Sequence, residues 1–157
     1  DRLFDLPPVW SPIAAPRAYW LPQPTFVSGG PMVVDPSPLS VARFAGVLWH
    51  RGHGAPPTLG DDGEMDFLNR EFRRDATLLH GFYALLIGEF LPFDSQYRHW
   101  ARSFNLSSAE VIARAVLVHF VANTKPWGTE WRSWNLTRAP EAMRLYGQWL
   151  QAAEAVC

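Results

Sequence analysis

Proline is the residue that most constrains this chain, because six of its fourteen prolines fall between Leu6 and Pro24. Proline lacks a backbone N–H and fixes its own φ angle, so a stretch this rich in proline cannot form a helix. The sequence therefore predicts an extended or irregular surface segment over residues 6–24.

The composition indicates a globular protein without a nucleic-acid-binding face. The 157 residues are 48% apolar and 14% aromatic, and a chain of this length buries about 70% of its unfolded surface. Its formal charge is -1, with Lys and Arg scattered among Asp and Glu, which argues against a nucleic-acid partner. The single cysteine, Cys157, cannot form an internal disulfide.

The sequence contains two glycosylation sequons but no recognisable targeting segment. No run of about 18 apolar residues is present, so we expect any signal or membrane anchor to lie outside this chain. The sequons at Asn105 and Asn135 matter only if the protein enters the secretory route, and three-residue sequons also arise by chance.

Short apolar runs alternate with amphipathic patterns, which predicts an α/β fold in a single domain. The predicted strands are Met32–Val34, Leu78–Phe82, Glu89–Phe93 and Val116–Val121. Four helices are predicted. The first starts at Ser37 or Pro38 and runs to about Leu48, and the second spans Glu64–Arg73. The third begins at a cap on Ser107 or Ser108, and the fourth spans Pro140–Val156. Apolar spacing predicts that Met65, Leu68 and Phe72 line one helix face and that Met143, Tyr146, Trp149 or Leu150, and Ala153 line another.

The segment from His119 to Trp127 carries the strongest chemical signal. An imidazole ends an apolar run and Lys125 follows six residues later. Imidazole suits Mn²⁺-like cations and a lysine ammonium suits a phosphate, so the pair could hold a metal-bound diphosphate. The alternative is a hydrogen-bonded structural histidine followed by an ordinary turn with an aromatic plug.

This pattern, His-Phe-x-x-x-x-Lys-Pro-Trp, resembles the closing motif of the family 8 glycosyltransferases, the group that includes glycogenin. The resemblance implies that His119 is a ligand of the catalytic Mn²⁺ or Mg²⁺ and that Lys125 holds the diphosphate of the nucleotide sugar. The family has Gly where this chain has Ala122, which adds a methyl group where backbone approaches phosphate.

Further segments are similar to that family in the same order. Asp1–Asp5 resembles the segment after the family's Asp-x-Asp metal motif, which implies that the main metal carboxylates lie upstream. Val27–Val33 is similar to the Phe-Asn-Ser-Gly-x-x-Val loop, which implies donor-binding roles for Ser28, Gly29 and Gly30. Small residues there let backbone approach a sugar closely, although a Gly-Gly pair can also be only a turn.

Two more segments supply acidic and amide candidates. Asp61–Asn69 resembles the family's Asp-Gln-x-x-Leu-Asn segment, which implies that Glu64, with Asp61, contacts the donor sugar near the reacting centre. Asp66 is a second choice for that acid, and helix capping by Asp61 or Asp62 with a solvated Glu64 is the structural alternative. Leu91–Gln96 resembles Leu-Pro-Phe-x-x-Asn, which places Gln96 at a sugar-facing position.

The resemblance implies that residues 1–157 are the C-terminal, acceptor-side part of a GT-A type catalytic domain lacking its nucleotide-binding strands. It further implies retaining transfer of GlcNAc, glucose or a related sugar from a UDP-sugar to a glycan or protein acceptor. The compartment would be the Golgi lumen, as for fungal members, or alternatively the cytoplasm, and this fragment alone would be inactive. The rival hypotheses are a carbohydrate-binding domain and a degenerate, non-catalytic transferase.

The eight tryptophans divide into two predicted groups. Trp49, Trp100 and Trp149 lie in apolar patterns typical of a core. Trp127, Trp131 and Trp134 follow His119 in a loop and are the candidates for a wall of the acceptor site.

Overall fold

The computed structural model describes residues 11–52, 63–91, 98–121, 124–134, 137 and 139–156, except for the side chains of residues 47–52 and 64. The chain divides into two compact units, Asp1–Tyr83 and Ala84–Cys157. Both units combine helices with short strands, which confirms the predicted α/β class.

The first unit is built on a three-stranded sheet with β1 (Ile13–Pro16) at its centre. Strand β2 (Val33–Val34) pairs antiparallel with β1, so that Ala14 lies opposite Val33. Strand β3 (Thr77–Leu79) pairs parallel with β1 on its other side, with Ala14 opposite Thr77. Two segments far apart in sequence thus meet on either side of β1.

The prediction of a surface segment over residues 6–24 was wrong for β1, whose four residues are all buried. A central strand can follow this proline-rich stretch because Pro12 precedes the strand and Pro16 is its last residue. Neither proline therefore removes an N–H between Ile13 and Ala15. Pairing continues past Pro16, since the N–H of Arg17 donates to the carbonyl of Leu79 at 2.9 Å.

Two helices accompany this sheet, α1 (Pro38–Gly52) and α2 (Glu64–Phe72), close to their predicted positions. Leu68 and Phe72 of α2 pack with Ile13, Ala15 and Val27 in one buried cluster, as the spacing of apolar residues on α2 predicts. The residue at the N-cap is Gly63, and the predicted capping pair Asp61–Asp62 lies outside the described residues.

The other strand predictions for this unit need correction. The Met32–Val34 strand was expected to be buried, but only Val33 and Val34 pair, and Val34 is 40% exposed because β2 lies at the sheet edge. The predicted strand Leu78–Phe82 starts one residue earlier and ends at Leu79, where the chain turns into a 3₁₀ helix over Gly81–Ala84.

The second unit contains a parallel pair, β4 (Leu85–Leu86) with β5 (Val118–His119), and three helices. The helices are α3 (His99–Phe104), α4 (Ser108–Arg114) and α5 (Pro140–Val156). The predicted strand Glu89–Phe93 was wrong for Glu89 and Phe90, because Ile87–Phe90 forms a 3₁₀ helix, and residues 92–93 lie outside the described residues. The predicted buried strand Val116–Val121 shrinks to the half-buried pair Val118–His119.

Side chains define where α3 and α4 begin. Ser107 forms the predicted cap of α4, with its hydroxyl accepting from the N–H of Glu110 while the Glu110 carboxylate accepts from the N–H of Ser107. Glu89 is 4% exposed, and its carboxylate accepts from the N–H groups of His99 at 3.0 Å and Trp100 at 3.4 Å. A buried carboxylate thus satisfies N–H groups that the start of α3 leaves without intrahelical partners.

Helix α5 has the predicted bounds, and its buried face matches the predicted one except at Met143. Ala142 and Tyr146 are buried, whereas Met143, predicted to be inward, is 49% exposed.

Of the tryptophans predicted to be core, Trp100 is buried and Trp149 is half-buried, while the Trp49 side chain lies outside the described ones. In the described part of the chain, no helix combines the length and apolar character needed to cross a bilayer.

Candidate functional site

His119 is the last residue of strand β5, as the sequence predicts. It lies opposite Leu86 of β4, and the N–H of Leu85 donates to the carbonyl of Leu117 at 2.9 Å, which fixes the register of the parallel pair. The imidazole is half-buried. The chain therefore leaves the sheet immediately after a side chain that can act as a metal ligand.

The chain after β5 is attached to helix α5 through Thr124. The N–H and the hydroxyl of Thr124 both donate to the carbonyl of Val121. The carbonyl of Thr124 accepts a 2.8 Å hydrogen bond from the hydroxyl of Tyr146. Burial raises the pKa of Tyr146 to about 12, while the hydrogen bond to Thr124 acts in the opposite direction. These contacts fix the backbone immediately before Lys125.

Lys125 opens a tight turn, in which its carbonyl accepts from the N–H of Gly128 at 3.0 Å. Its ammonium nitrogen lies 5.5 Å from the ring centroid of Trp127. A Cβ at position 128 would come within 3.2 Å of the Lys125 carbonyl oxygen and 3.4 Å of Glu130 Oε2, so the turn packs closely around the glycine. The turn therefore fixes the backbone of Lys125, from which the side chain reaches the Trp127 ring.

Trp131 also holds this turn in place. Its Nε1–H donates to the carbonyl of Pro126 at 3.0 Å, and its ring stacks on Tyr146 with centroids 4.4 Å apart and planes at 12°. Trp131 is only 8% exposed, so the hypothesis that it lines an acceptor wall was wrong. Trp134 is half-buried, and Trp127 is 67% exposed.

In the first unit, the loop Ser28–Gly30 is shaped by Ser28. This residue is 2% exposed, and its N–H donates to the carbonyl of Pro16 at 2.7 Å. Its hydroxyl accepts from the N–H of Gly30 at 3.1 Å. Ser28 therefore holds the half-buried Gly29–Gly30 backbone in place, and a direct contact between Ser28 and a donor sugar stays a prediction.

Asn69 is a residue whose role the sequence analysis missed. It is 6% exposed, its Oδ1 accepts from the N–H of Val27 at 2.7 Å, and its Nδ2 donates to the carbonyl of Val27 at 2.8 Å. Nδ2 also donates to the carbonyl of Met65 at 2.7 Å. One side chain thus ties the residue before Ser28 to helix α2, and a signal was available because an amide lies between the buried positions Leu68 and Phe72.

Of the remaining candidates, Asp66 alone has a described side chain. Glu64 begins helix α2, although its side chain is outside the described ones, and Asp61, Gln96 and Ala122 are outside the described residues. Asp66 is exposed and borders a cavity of about 630 Å³ that the sequence analysis did not identify. Four arginines and three acidic residues line it, including the Arg43–Asp75 ion pair at 2.5 Å.

The candidate residues fall into two sets. The first unit carries Ser28, Gly29, Gly30 and Glu64, whereas the second carries His119 and Lys125 in one continuous segment. Across the described ranges, no three His, Cys, Asp or Glu side chains lie close enough together to hold a metal ion. The described residues therefore supply at most part of a metal site. No protein-family model, curated protein or solved structure matches this chain.

Proposed function

We propose that this chain is the acceptor-side part of a retaining, metal-dependent UDP-sugar glycosyltransferase with a GT-A type fold. The observation that carries the proposal is the placement of His119 at the end of β5, with Lys125 on a fixed turn six residues later. This geometry suits a histidine that binds a cation and a lysine that binds the attached diphosphate. The resemblance to family 8 glycosyltransferases assigns the same two roles.

Lys125 would bind the diphosphate by charge. Its backbone is fixed by the Gly128 hydrogen bond, and its half-buried stem carries the ammonium over the exposed Trp127 ring. An ammonium on an aromatic face gains about 1 kcal/mol, so a doubly charged diphosphate would attract it away from the ring. Lys125 would then neutralise charge on the departing UDP, which makes a protein general acid unnecessary for that step.

The donor set fits a metal only in part. His119 would contribute one imidazole nitrogen, and carboxylates outside the described residues, such as an upstream Asp-x-Asp, would have to complete the coordination. When bound, the metal would supply electrostatic stabilisation of the developing negative charge. Metal affinity without those carboxylates is therefore expected to be weak.

The first unit would orient the donor sugar through the Gly29–Gly30 backbone, with Ser28 shaping that loop. Glu64 and Asp61 would contact the sugar near the reacting centre. The Asn69 hydrogen bonds support this role, because they join the loop to the helix that begins at Glu64. Such preorganisation matters, since a displacement of about 1 Å at a reacting group can cost about a hundredfold in rate.

Calorimetric titration of UDP with saturating Mn²⁺ tests this proposal in the protein that carries this chain together with its upstream segment. His119→Ala and Lys125→Ala should each weaken UDP binding by at least about tenfold, or about 1.4 kcal/mol. Arg132→Ala is a matched control, because Arg132 also places a cation 5.5 Å from an indole ring but lies outside the proposed site. Absence of UDP binding by the wild-type protein at saturating Mn²⁺ would contradict the proposal.

A second candidate is a carbohydrate-binding domain or a degenerate transferase without activity. The exposed Trp127 ring favours it, as do Ser28, Glu64 and Ala122, which differ from the family pattern. This candidate predicts saccharide binding that does not depend on Mn²⁺, together with no UDP binding.

The proposed compartment is the Golgi lumen, with the cytoplasm as the alternative. Asn105, in the first sequon, is exposed and has a positive φ of 52° at the end of α3. Expression in a secretory host should therefore give a product whose mass falls on endoglycosidase treatment. Asn105→Gly removes this sequon while keeping the backbone conformation, so the mass shift at this site should disappear without loss of stability.

A further inference from the structure

We propose that Trp127 and Trp149 form a stacking site for a neutral saccharide, which under the proposed function would be the acceptor glycan. This inference rests on the proposed function for its biological role. The stacking site itself depends only on side chains of the second unit.

The first argument is that Trp127 is exposed on a rigid support. Its side chain is 67% exposed, although tryptophan normally buries most of its surface. The turn beneath it is fixed by the hydrogen bond from Gly128 to Lys125 and by the bond from Trp131 Nε1 to the Pro126 carbonyl. Because this backbone is already ordered, a ligand that stacks on the ring loses little conformational entropy of the turn.

The ring of a second tryptophan, Trp149, packs beside the ring of Trp127. The ring of Trp149, on helix α5, lies 6.1 Å from the ring of Trp127, and their planes are inclined at 49°. Rings this close contact each other directly, so Trp149 packs beside Trp127 and a pyranose would stack on the part of the Trp127 ring that stays exposed. Trp149 is half-buried, so its position is held by the packing of the helix.

The surroundings of Trp127 favour a saccharide over an apolar protein partner. The following residues Thr129 and Glu130 are exposed, and Oε2 of Glu130 would lie only 3.4 Å from a Cβ at position 128, beside Trp127. The ammonium nitrogen of Lys125 lies 5.5 Å from the centroid of the ring. A ring bordered by a carboxylate and an ammonium offers stacking for sugar C–H groups and hydrogen bonds for hydroxyls, whereas protein interfaces use broader apolar patches.

The stacking site is tested on the 157-residue chain with maltotriose, N,N′-diacetylchitobiose and α-1,6-mannobiose, in the absence of Mn²⁺ and UDP. Calorimetry gives the Kd, and saturation-transfer NMR identifies the sugar protons that touch the protein. We expect at least one probe to bind, with saturation strongest for C–H protons on one face of a pyranose. Trp127→Ala should weaken binding on the order of tenfold, and Trp127→Phe should weaken it less.

Trp20→Phe is the matched control, because it removes a half-buried indole of the first unit that belongs to neither proposed site and should leave the Kd unchanged. Circular dichroism confirms that each variant is folded. The inference is overturned if no probe binds the wild-type chain, or if Trp127→Ala binds as tightly as wild type. It is also overturned if Trp127→Ala abolishes self-association in sedimentation experiments without affecting saccharide binding, because the ring would then be a protein contact.

The outcomes for the stacking site and for the proposed function are separable. Trp127→Ala should retain Mn²⁺-dependent UDP binding in the longer protein, whereas Lys125→Ala should lose it. Saccharide binding through Trp127 without any UDP binding would overturn the transferase proposal and support the stacking site. UDP binding without a Trp127-dependent saccharide site would overturn the stacking site and keep the transferase proposal.

Discussion

The hydroxyl of Tyr146 donates a 2.8 Å hydrogen bond to the carbonyl of Thr124, the residue immediately before Lys125. The ring of Tyr146 also stacks on Trp131 and meets Phe120 edge-on at 5.0 Å. One side chain of helix α5 thus contacts the stretch from Phe120 to Trp131 at three points. Through it, the stability of α5 and the geometry of the Lys125 turn depend on each other.

Tyr146→Phe should lower the free energy of unfolding by about 1–2 kcal/mol, because the buried carbonyl of Thr124 loses its donor while ring packing is retained. Urea denaturation followed by tryptophan fluorescence measures this change. Tyr83→Phe, at a half-buried position, should cost less. Equal losses in the two variants would show that the Thr124 hydrogen bond contributes nothing particular.

The stability of the wild-type chain should fall between about pH 10 and pH 12. The pKa of Tyr146 is raised from 10.0 to about 12 in the folded chain, so the folded state retains a proton that the unfolded state releases above pH 10. The stabilisation is complete below pH 10 and disappears as the pH rises through about 12. Unfolding free energies across this range should decline less steeply in Tyr146→Phe than in wild type, and parallel curves would contradict this assignment.

Asn69→Ala should destabilise the first unit by about 3 kcal/mol, because it removes three hydrogen bonds and leaves the N–H and carbonyl of Val27 buried without their side-chain partner. Thermal unfolding and hydrogen exchange at Val27 would detect the loss. Asp66→Ala, at an exposed position of the same helix, should change stability by less than about 0.5 kcal/mol. Wild-type exchange at Val27 in the Asn69 variant would show that the loop is held by other contacts.

Ser107→Ala should cost about 1 kcal/mol, since the N–H of Glu110 loses its cap at the start of α4. Hydrogen bonds from the Ser107 side chain and backbone lower the pKa of Glu110, so the contribution of the Glu110 carboxylate is present at neutral pH and is lost as the pH falls through that lowered pKa. Ser107→Thr keeps a capping hydroxyl and should behave like wild type in denaturation at pH 7. A Thr variant as unstable as the Ala variant would argue against capping.

Local elements were predictable because their determinants lie within a few residues. The Ser107–Glu110 capping box and the proline start of α5 at Pro140 are both readable from sequence, and both are found. Strand β1 was missed because its partner Thr77 is about 60 residues away and apolar alternation is absent from Ile13–Pro16. Glu89 and Phe90, the last two residues of the 3₁₀ helix Ile87–Phe90, were predicted as strand because short apolar runs do not distinguish the two structures.

Part of the candidate site was predictable from the sequence, and part of it depends on contacts between distant residues. The position of His119 at a strand end follows from the apolar run before it, and it is found. The core role of Trp131 could not be read locally, because it depends on stacking against Tyr146, fifteen residues later on another element. Asn69 was visible in sequence as a polar residue between buried positions, but its partner Val27 becomes apparent only when the loop is folded onto α2.

The central position of β1 has a consequence for synthesis on the ribosome. Ile13–Pro16 leaves the exit tunnel before the strand that completes its pairing, Thr77–Leu79, which is made about 60 residues later. At roughly 5–20 residues per second, this apolar segment waits about 3–12 seconds without that neighbour. A nascent chain stalled in that interval would expose a buried-type segment, so chaperone capture and aggregation should be strongest there and should decline once residue 79 has emerged.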